Sequence, residues 1–169
     1  SGSSERLSIS QCAALACLLE VAAAKPGNVH RGADFEDVTF VDFAVSAVAI
    51  GPALEEAVDI GVGAAALEAI RATRRLVSSN TNLGTVLLLA PLAAVPRSTR
   101  LETGIGRVLR ALTPADANAI YAAIRTARPG GLGAVDKMDV GKAAPTHIIA
   151  AMRAAADRDL VARQYCNDF

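Results

Sequence analysis

Runs of apolar residues, separated by short polar breaks that contain glycine or proline, divide the chain into segments with helical character. Alanine dominates these runs, and alanine is the best helix former, whereas strands favour β-branched and aromatic residues. The pattern predicts a first helix, capped by Ser8 or Ser10, that ends near Ala24 because Pro26 disfavours a helical conformation in the residue before it. A second helix begins after a cap at Thr39.

The pattern in the middle of the chain predicts two further helices. Pro52 suits a first helical position, and it predicts a helix over residues 53–76 that continues through two glycines. A strongly apolar helix begins at Leu83. Pro91 is expected to kink this helix or to divide it in two.

Four more helices are predicted from residue 97 onward. Residues 97–99 cap a helix that ends at Ala111. The next helix begins at Thr113, which is followed by a proline and an acid in the first turn. Residues 145–156 and residues 159 onward are predicted to form the last two helices. The sequence therefore predicts a single all-α domain over residues 1–169, an irregular multi-helix array of about 7–9 helices rather than a simple four-helix bundle.

Composition and charge restrict the class of partner. Hydrophobic residues make up 52% of the chain and aromatic residues only 4%, which indicates helices packed closely through small side chains. Lys plus Arg number 17 and Asp plus Glu number 17, so the basic excess typical of nucleic-acid binders is missing. The most apolar run, residues 85–95, is shorter than the roughly 20 residues of a membrane span. We expect neither nucleic acid nor a membrane as a partner.

The cysteines indicate the redox compartment of the domain, and the chain end indicates its place in a longer protein. Cys12, Cys17 and Cys166 lack CxxC spacing, which argues against a disulfide framework and a zinc site. Cys12 and Cys17 lie in an apolar run and are expected to be small core residues. A reducing cytoplasm fits these thiols, and no signal-peptide pattern is visible. The amphipathic pattern still runs at Phe169, so the chain is expected to be the N-terminal part of a longer protein.

Glu20 is the first candidate for chemistry. It lies on a helix otherwise made of Ala, Leu, Val and Cys, so its carboxylate must be paired, exposed on one face or functional. A salt bridge and a catalytic role both stay open at this stage. Its position, one helical turn before a polar loop at Lys25, favours the functional interpretation.

The loop after this helix combines a cation, an amide and several carboxylates. Mg²⁺ takes one or two carboxylates together with phosphate oxygens, and a lysine supplies a point charge to phosphate. The loop therefore predicts a metal–phosphate site, with an ordinary solvated turn as the alternative. The residues concerned are Lys25, Asn28, His30, Asp34, Glu36 and Asp37.

A second polar stretch, residues 78–84, precedes the most apolar helix. It begins with five consecutive small polar residues, Ser78 to Asn82, which place free amides and side-chain donors at the positive end of that helix. This arrangement can receive an anion. Plain helix capping is the alternative, but capping needs only one of the five residues.

These residues, taken in order, resemble the triphosphoribosyl-dephospho-CoA synthase family (CitG-like), in a divergent branch. The resemblance covers most of the chain, because the same order of motifs recurs from the first helix to the last. It rests on Glu20, Lys25-Pro26-Gly27-Asn28-Val29, Asp37, Ser46 and Asn80-Thr81-Asn82-Leu83-Gly84, with later similarity at Gly130 to Gly133, Asp139-Val140 and Ala162 to Tyr165.

The resemblance implies an all-helical transferase that moves the 5-triphosphoribosyl group of ATP onto the 2′-hydroxyl of dephospho-CoA and releases adenine. The product is the precursor of the prosthetic group of citrate or malonate lyases and decarboxylases. Glu20 and Asp37 are the expected catalytic residues, as base or metal ligand. Substrate binding is expected at Lys25, Gly27, Asn28, His30, Ser46, Asn80, Thr81, Asn82 and Gly84, and Mg²⁺ at Asp34, Asp37 and Asp139.

The chain departs from the better-known branch of that family at two places. That branch carries His-Lys where this chain has Asn82-Leu83, and a histidine two residues before the aspartate that matches Asp37, where this chain has Phe35. A related nucleotide-like acceptor is therefore open, as are a different glycosyl- or phosphoryl-transfer reaction and a non-catalytic helical nucleotide-binding or interaction domain. Small-molecule substrates, ATP and a dephospho-CoA-like acceptor, are the expected partners, and a homo-oligomer stays open.

Overall fold

A computed structural model describes residues 6–23, 39–127 and 145–169. Over these residues the chain forms ten helical segments and no strand, so the predicted all-α multi-helix array is confirmed. The segments are α1 (Ile9–Ala22), α2 (Phe40–Ala49), α3 (Gly51–Glu55), α4 (Ala57–Ile60), α5 (Val62–Leu76), α6 (Leu83–Ala93), α7 (Leu101–Arg110), α8 (Pro114–Ala127), α9 (Ile148–Ala155) and α10 (Leu160–Asn167).

Two of the predicted helix starts are closed by reciprocal caps. The Ser8 hydroxyl accepts a hydrogen bond from the Gln11 amide at 3.1 Å, and Gln11 Oε1 accepts one from the Ser8 amide at 2.8 Å. Thr39 and Asp42 form the same arrangement at the start of α2. Each pair satisfies amides that have no partner inside the helix, which explains why both starts could be predicted from local sequence.

The single helix predicted over residues 53–76 is wrong, because three segments occupy this stretch. Gly61 has a φ of 87° and interrupts the helical path between α4 and α5. Only glycine adopts such a conformation without steric cost. The break lets α5 begin beside Asp116, a residue far away in sequence.

Asp116 joins the starts of α5 and α8. Its Oδ2 accepts hydrogen bonds from the amide and the hydroxyl of Thr113 at 2.9 and 2.7 Å, and its Oδ1 accepts one from the Gly63 amide at 2.9 Å. A Cβ on Gly63 would lie 2.5 Å from the Asp116 Cα, so glycine permits the approach. Because α5 and α8 meet at their first turns and pack against each other, they run parallel and their ends also lie side by side.

Helix α6 lies at the centre of the core. Val86 and Ala90 belong to an apolar cluster shared with α1, α2, α3 and α5, whereas Leu87 belongs to a second cluster built from α7, α8, α9 and α10. In the described part of the chain, no helix is long and apolar enough to cross a membrane.

Pro91 does not divide α6 into two helices, since the helix continues through it to Ala93. Proline has no amide hydrogen, so the carbonyl four residues earlier loses its helical donor. That carbonyl belongs to Leu87, and it accepts a hydrogen bond of 2.6 Å from the hydroxyl of Tyr165 on α10. Burial raises the pKa of Tyr165, with a smaller contribution from the charge of Asp116, so the hydroxyl keeps its proton.

Three further predictions are corrected. Residues 97–99 do not cap α7, which begins at Leu101 after Arg100 without a side-chain cap. The helix predicted from residue 145 begins at Ile148. Cys12 is exposed rather than part of the core, whereas Cys17 is buried as predicted. Burial, and to a smaller extent the charge of Glu20, raises the pKa of the Cys17 thiol to about 11.

The Asp116 junction makes stability depend on pH. Burial raises the pKa of the Asp116 carboxyl, but the hydrogen bonds from Thr113 and Gly63 outweigh that effect and lower the pKa below its ordinary value. The stabilisation is therefore fully present above the unfolded pKa of about 4 and is lost as the pH falls through the lower folded pKa. We expect Asp116→Asn to lower the free energy of unfolding by about 1–3 kcal/mol at pH 7, measured by urea denaturation.

The loss in the Asp116→Asn variant should shrink as the pH falls below about 4. Asp157→Asn, a change at an exposed carboxylate in the turn before α10, is the matched control and should leave stability nearly unchanged. A loss that stayed constant down to pH 2 would contradict a role for the ionised carboxylate.

The hydrogen bond from Tyr165 to Leu87 gives a second prediction. We expect Tyr165→Phe to destabilise the fold by about 1–3 kcal/mol, because the Leu87 carbonyl is then buried without a donor. Thermal and urea denaturation measure the change. Tyr121→Phe, at another buried tyrosine of the same apolar cluster, is the control. Equal losses of stability in both variants would argue against a special role for the hydroxyl that donates to the carbonyl left without a helical donor by Pro91.

Candidate active site

The loop between α5 and α6 is a polar segment with two buried side chains. Thr81 and Asn82 are 9% and 8% exposed, whereas Asn80 is exposed to solvent. Buried polar side chains require hydrogen-bond partners. The partners of Thr81 and Asn82 come from two different helices and fix the loop in one position.

Ser46 on α2 holds Thr81. Their hydroxyl oxygens are 2.6 Å apart, and the Ser46 hydroxyl also donates to the Asp42 carbonyl at 2.6 Å. A hydroxyl has one hydrogen, so Thr81 is the donor in the bond between the two side chains. Ser46 is fully buried, and the two residues, 35 positions apart, are brought together as one unit.

Asn82 is held by α5. Its Nδ2 donates to the hydroxyl of Thr73 at 3.0 Å, and its carbonyl accepts from the Val86 amide at 2.8 Å. Arg74, the next residue of α5, donates from its guanidinium to the Ser78 carbonyl. Both ends of the polar loop are therefore tied to the last turns of α5.

Asn80 has a different position from its two neighbours. Its Oδ1 accepts a hydrogen bond of 3.2 Å from the Leu83 amide, the first of α6, and the residue as a whole is exposed. The next two amides, Gly84 and Thr85, precede the first intrahelical bond, which the Val86 amide makes. They form the positive end of α6, where an anion is favoured.

Gly84 also faces the last helix. A Cβ at this position would lie 3.6 Å from Val161 Cγ2, an ordinary contact distance. Thus α10 packs against the first turn of α6 at Gly84 and, through Tyr165, against Leu87. The position of the polar loop depends on α10 as well as on α2 and α5.

Glu20 is exposed on α1. The start of α1 lies at the end of α2, because the Ser10 amide donates to Glu55 Oε2 at 2.7 Å and Ser10 closely approaches Gly51. Since α1 also packs against α2, the two helices are antiparallel. Ten residues after Ser10 correspond to about 15 Å of helix, which brings Glu20 level with the first turn of α2.

Seven of the thirteen predicted site residues cannot be placed. Lys25, Gly27, Asn28, His30, Asp34, Asp37 and Asp139 lie outside the described residues. Within residues 6–23, 39–127 and 145–169, no group of three or more His, Cys, Asp or Glu side chains could hold a metal ion. The Mg²⁺ ligands therefore stay a prediction.

The sequence reasoning missed three residues that shape the loop. Asp42 and Thr73 contribute a carbonyl and a hydroxyl from within helices, and Arg74 contributes a guanidinium that donates to the Ser78 carbonyl. A threonine inside the apolar face of α5 was the available signal for Thr73. For the Asp42 carbonyl no sequence signal exists, since every residue has one.

An apolar cavity of about 380 Å³ lies at the other end of α6. Aliphatic side chains such as Ile9, Leu54 and Leu92 line it, and Arg6 and Arg97 supply charge. Ten residues of α6 separate the polar loop from this end, about 15 Å. Among the described residues that line the cavity, no carboxylate or histidine can act as a base, so the polar loop is the better candidate for chemistry.

Residues 6–169 match the family model described as CitG: ATP:dephospho-CoA triphosphoribosyl transferase. The match covers nearly the whole chain, in agreement with the order of motifs from Glu20 to Tyr165. No curated protein and no solved structure matches the chain.

The bond between Ser46 and Thr81 can be tested by a double-mutant cycle. We expect Ser46→Ala and Thr81→Val each to lower the free energy of unfolding by about 1–3 kcal/mol, because each removes the hydrogen bond between these two buried side chains. The double variant should lose less than the sum, with a coupling of about 0.5 kcal/mol or more. Urea denaturation gives the four free energies. Additive losses would indicate that the two hydroxyls do not interact.

Proposed function

This chain belongs to the CitG family of ATP:dephospho-CoA triphosphoribosyl transferases, and on that premise we propose that it transfers the triphosphoribosyl group of ATP to the 2′-hydroxyl of dephospho-CoA or of a related nucleotide-like acceptor. The family is a transferase family with ATP as substrate. The observation that carries the proposal is the polar loop of the family motif, held by Ser46 and Thr73 at the start of α6.

The reaction exchanges one bond to the sugar carbon for another. The glycosidic bond between C1′ of the ATP ribose and adenine breaks, and the adenine nitrogen takes the bonding electron pair and a proton. The acceptor 2′-oxygen forms the new bond to C1′ and loses its proton to a base. Catalysis therefore needs a base, stabilisation of a cationic sugar carbon, and binding of the triphosphate.

We assign the base to Glu20 or Asp37. Glu20 projects from the end of α1 that is level with the first turn of α2, and Asp37 precedes that turn in sequence. A carboxylate also stabilises positive charge that develops on a nearby sugar carbon. Lys25, Gly27, Asn28 and His30 stay predictions for substrate binding, and Asp34, Asp37 and Asp139 for Mg²⁺, which would offset the charge of the triphosphate.

The polar loop contains residues that fix its own position and residues that we assign to substrate binding. Thr81 and Asn82 are already hydrogen-bonded to Ser46 and Thr73, so we assign them to keeping the loop in place. Asn80 is exposed, and one side of its amide is free of the capping bond, so we assign it to the ribose or phosphate oxygens. The amides of Gly84 and Thr85 add donors for a phosphate group.

A different acceptor is the second candidate function, and one observation favours it. The better-known branch has a histidine where this chain has Asn82, and the Asn82 side chain is turned inward onto Thr73. The position therefore offers neither a titratable group nor a free amide to the acceptor. This substitution is consistent with a protein that keeps the ATP site but uses another nucleotide-like alcohol as the acceptor.

The proposal is tested by incubation with ATP, Mg²⁺ and dephospho-CoA, with adenine release followed by chromatography and the product by mass. We expect adenine only when the acceptor is present, and none with an acceptor analogue that lacks the 2′-hydroxyl. Asn80→Ala should lower turnover by about tenfold or more. Asn118→Ala, at an exposed asparagine on α8, is the control and should leave turnover unchanged.

Three results would separate the alternatives. Adenine release without any acceptor would indicate glycosidic hydrolysis and contradict the proposal. Transfer to another nucleotide-like alcohol but not to dephospho-CoA would identify the second candidate function. ATP binding without adenine release under all conditions would indicate a non-catalytic nucleotide-binding domain.

A further inference from the structure

The apolar cavity at the far end of α6 has the properties of a ligand pocket. Buried side chains from three helices form its floor: Ala13 on α1, Leu54 on α3 and Ala93 on α6. Cys12 and Arg97 also line it and are exposed, so the cavity opens to solvent on their side. Its volume of about 380 Å³ is that of a small-molecule pocket, which is typically apolar with a few polar groups.

The lining of the cavity restricts the chemistry of its ligand. Aliphatic side chains such as Ile9, Leu89 and Leu92 make up most of it. A phosphate or a sugar would lose water there without gaining enough hydrogen bonds, whereas methyl and methylene groups gain free energy by leaving water. The cavity therefore suits an aliphatic chain with few polar groups rather than a nucleoside or a phosphate.

One face of α1 connects the cavity to the candidate active site. Cys12 and Ala16 line the cavity, and Glu20, the candidate base, follows Ala16 by four residues. Residues four apart lie on the same face of a helix, and four residues correspond to about 6 Å. A ligand that lies in the cavity can therefore follow this face of α1 as far as Glu20.

We infer that the cavity binds the pantetheine arm of a dephospho-CoA-like acceptor, with the acceptor ribose at Glu20 and the polar loop. The inference rests on the proposed function for the identity of the acceptor. The arm has about as many backbone bonds as four extended residues and thus a reach of about 14 Å, and the diphosphate adds to this reach. The polar loop and the cavity are about 15 Å apart along α6.

The chemistry of the arm matches the cavity. Its dimethyl and methylene groups suit the aliphatic floor, and its two amides can bond to polar side chains that line the cavity, such as Thr99 and Arg97. Both substrates of the proposed reaction are adenine nucleotides, and only the acceptor carries the arm. A pocket for the arm therefore gives the protein a means to distinguish the acceptor from ATP.

Cys12 provides the first test, because its thiol lies where the cavity opens to solvent. The probe is dephospho-CoA with its own thiol methylated, so that only the protein reacts with iodoacetamide, and mass spectrometry follows the alkylation of Cys12. A probe at about ten times its dissociation constant leaves the site open about a tenth of the time, so we expect alkylation to slow by about tenfold. ADP, the same nucleotide without the arm, should leave the rate unchanged. Cys166 on α10, which does not line the cavity, is the internal control and should react at the same rate with and without the probe.

Ala16→Phe provides the second test, because it fills the cavity from its exposed side without entering the core. We expect this variant to bind the methylated probe about tenfold more weakly, the equivalent of about two buried methyl-sized groups, and to bind ADP like the wild type. Calorimetry measures both dissociation constants, and thermal denaturation reports the fold. Ala150→Phe, at an exposed alanine on α9, is the matched control and should bind the probe like the wild type.

Three results would overturn the inference. Equal protection of Cys12 by ADP and by the probe would indicate that the nucleotide, not the arm, covers the thiol. Protection by octanoate but not by the probe would identify a different aliphatic ligand. An unchanged rate of Cys12 alkylation at a saturating concentration of the probe would leave the arm without a place in the cavity, whatever the Ala16→Phe variant does.

The inference and the proposed function fail in different ways. Adenine release with the same KM for dephospho-CoA in Ala16→Phe and wild type would overturn the arm site and leave the transferase intact. Protection of Cys12 that requires the arm, in a protein that never releases adenine, would support the arm site and contradict the transferase.

Discussion

Helix α6 is apolar along almost its whole length, so it has to be enclosed by other helices, and the rest of the fold depends on that constraint. One side of α6 packs with α1, α2, α3 and α5, and the other with α7 to α10. Enclosing the helix also buries its first polar residues. The hydrophobic effect that drives α6 inward therefore fixes the position of the loop to which we assign substrate binding.

Burial of α6 would be costly if its polar groups lacked partners, and each such group is satisfied from a different part of the chain. Ser46 accepts from Thr81, Thr73 accepts from Asn82, and Tyr165 donates to the carbonyl that Pro91 leaves without a helical donor. An unsatisfied buried group costs about 1–3 kcal/mol. These bonds make the loop rigid, which suits a site that must hold a sugar and a phosphate chain in a fixed relation.

The same arrangement distributes the proposed chemistry over separate elements of the fold. We assign the sugar and the nearest phosphate to Asn80 and the first amides of α6, and the base to Glu20 on α1 or to Asp37. The apolar cavity at the far end of α6 lies outside this set. Membership of the family indicates the class of reaction, and the positions of these groups are the basis for assigning sugar binding, phosphate binding and base catalysis to them.

The sequence by itself determined which segments are helices, since the caps at Ser8, Thr39 and Thr113 and the alanine-rich composition act within a few residues. It also determined the family, through the order of motifs from Glu20 to the polar loop. Only the tertiary structure decided where Gly61 breaks a helix, which side chains of the loop are already bonded, and how α6 passes through proline. These outcomes depend on groups 9 to 78 positions apart in the chain, which only packing brings together, whereas local preference reaches no further than a helical turn or two.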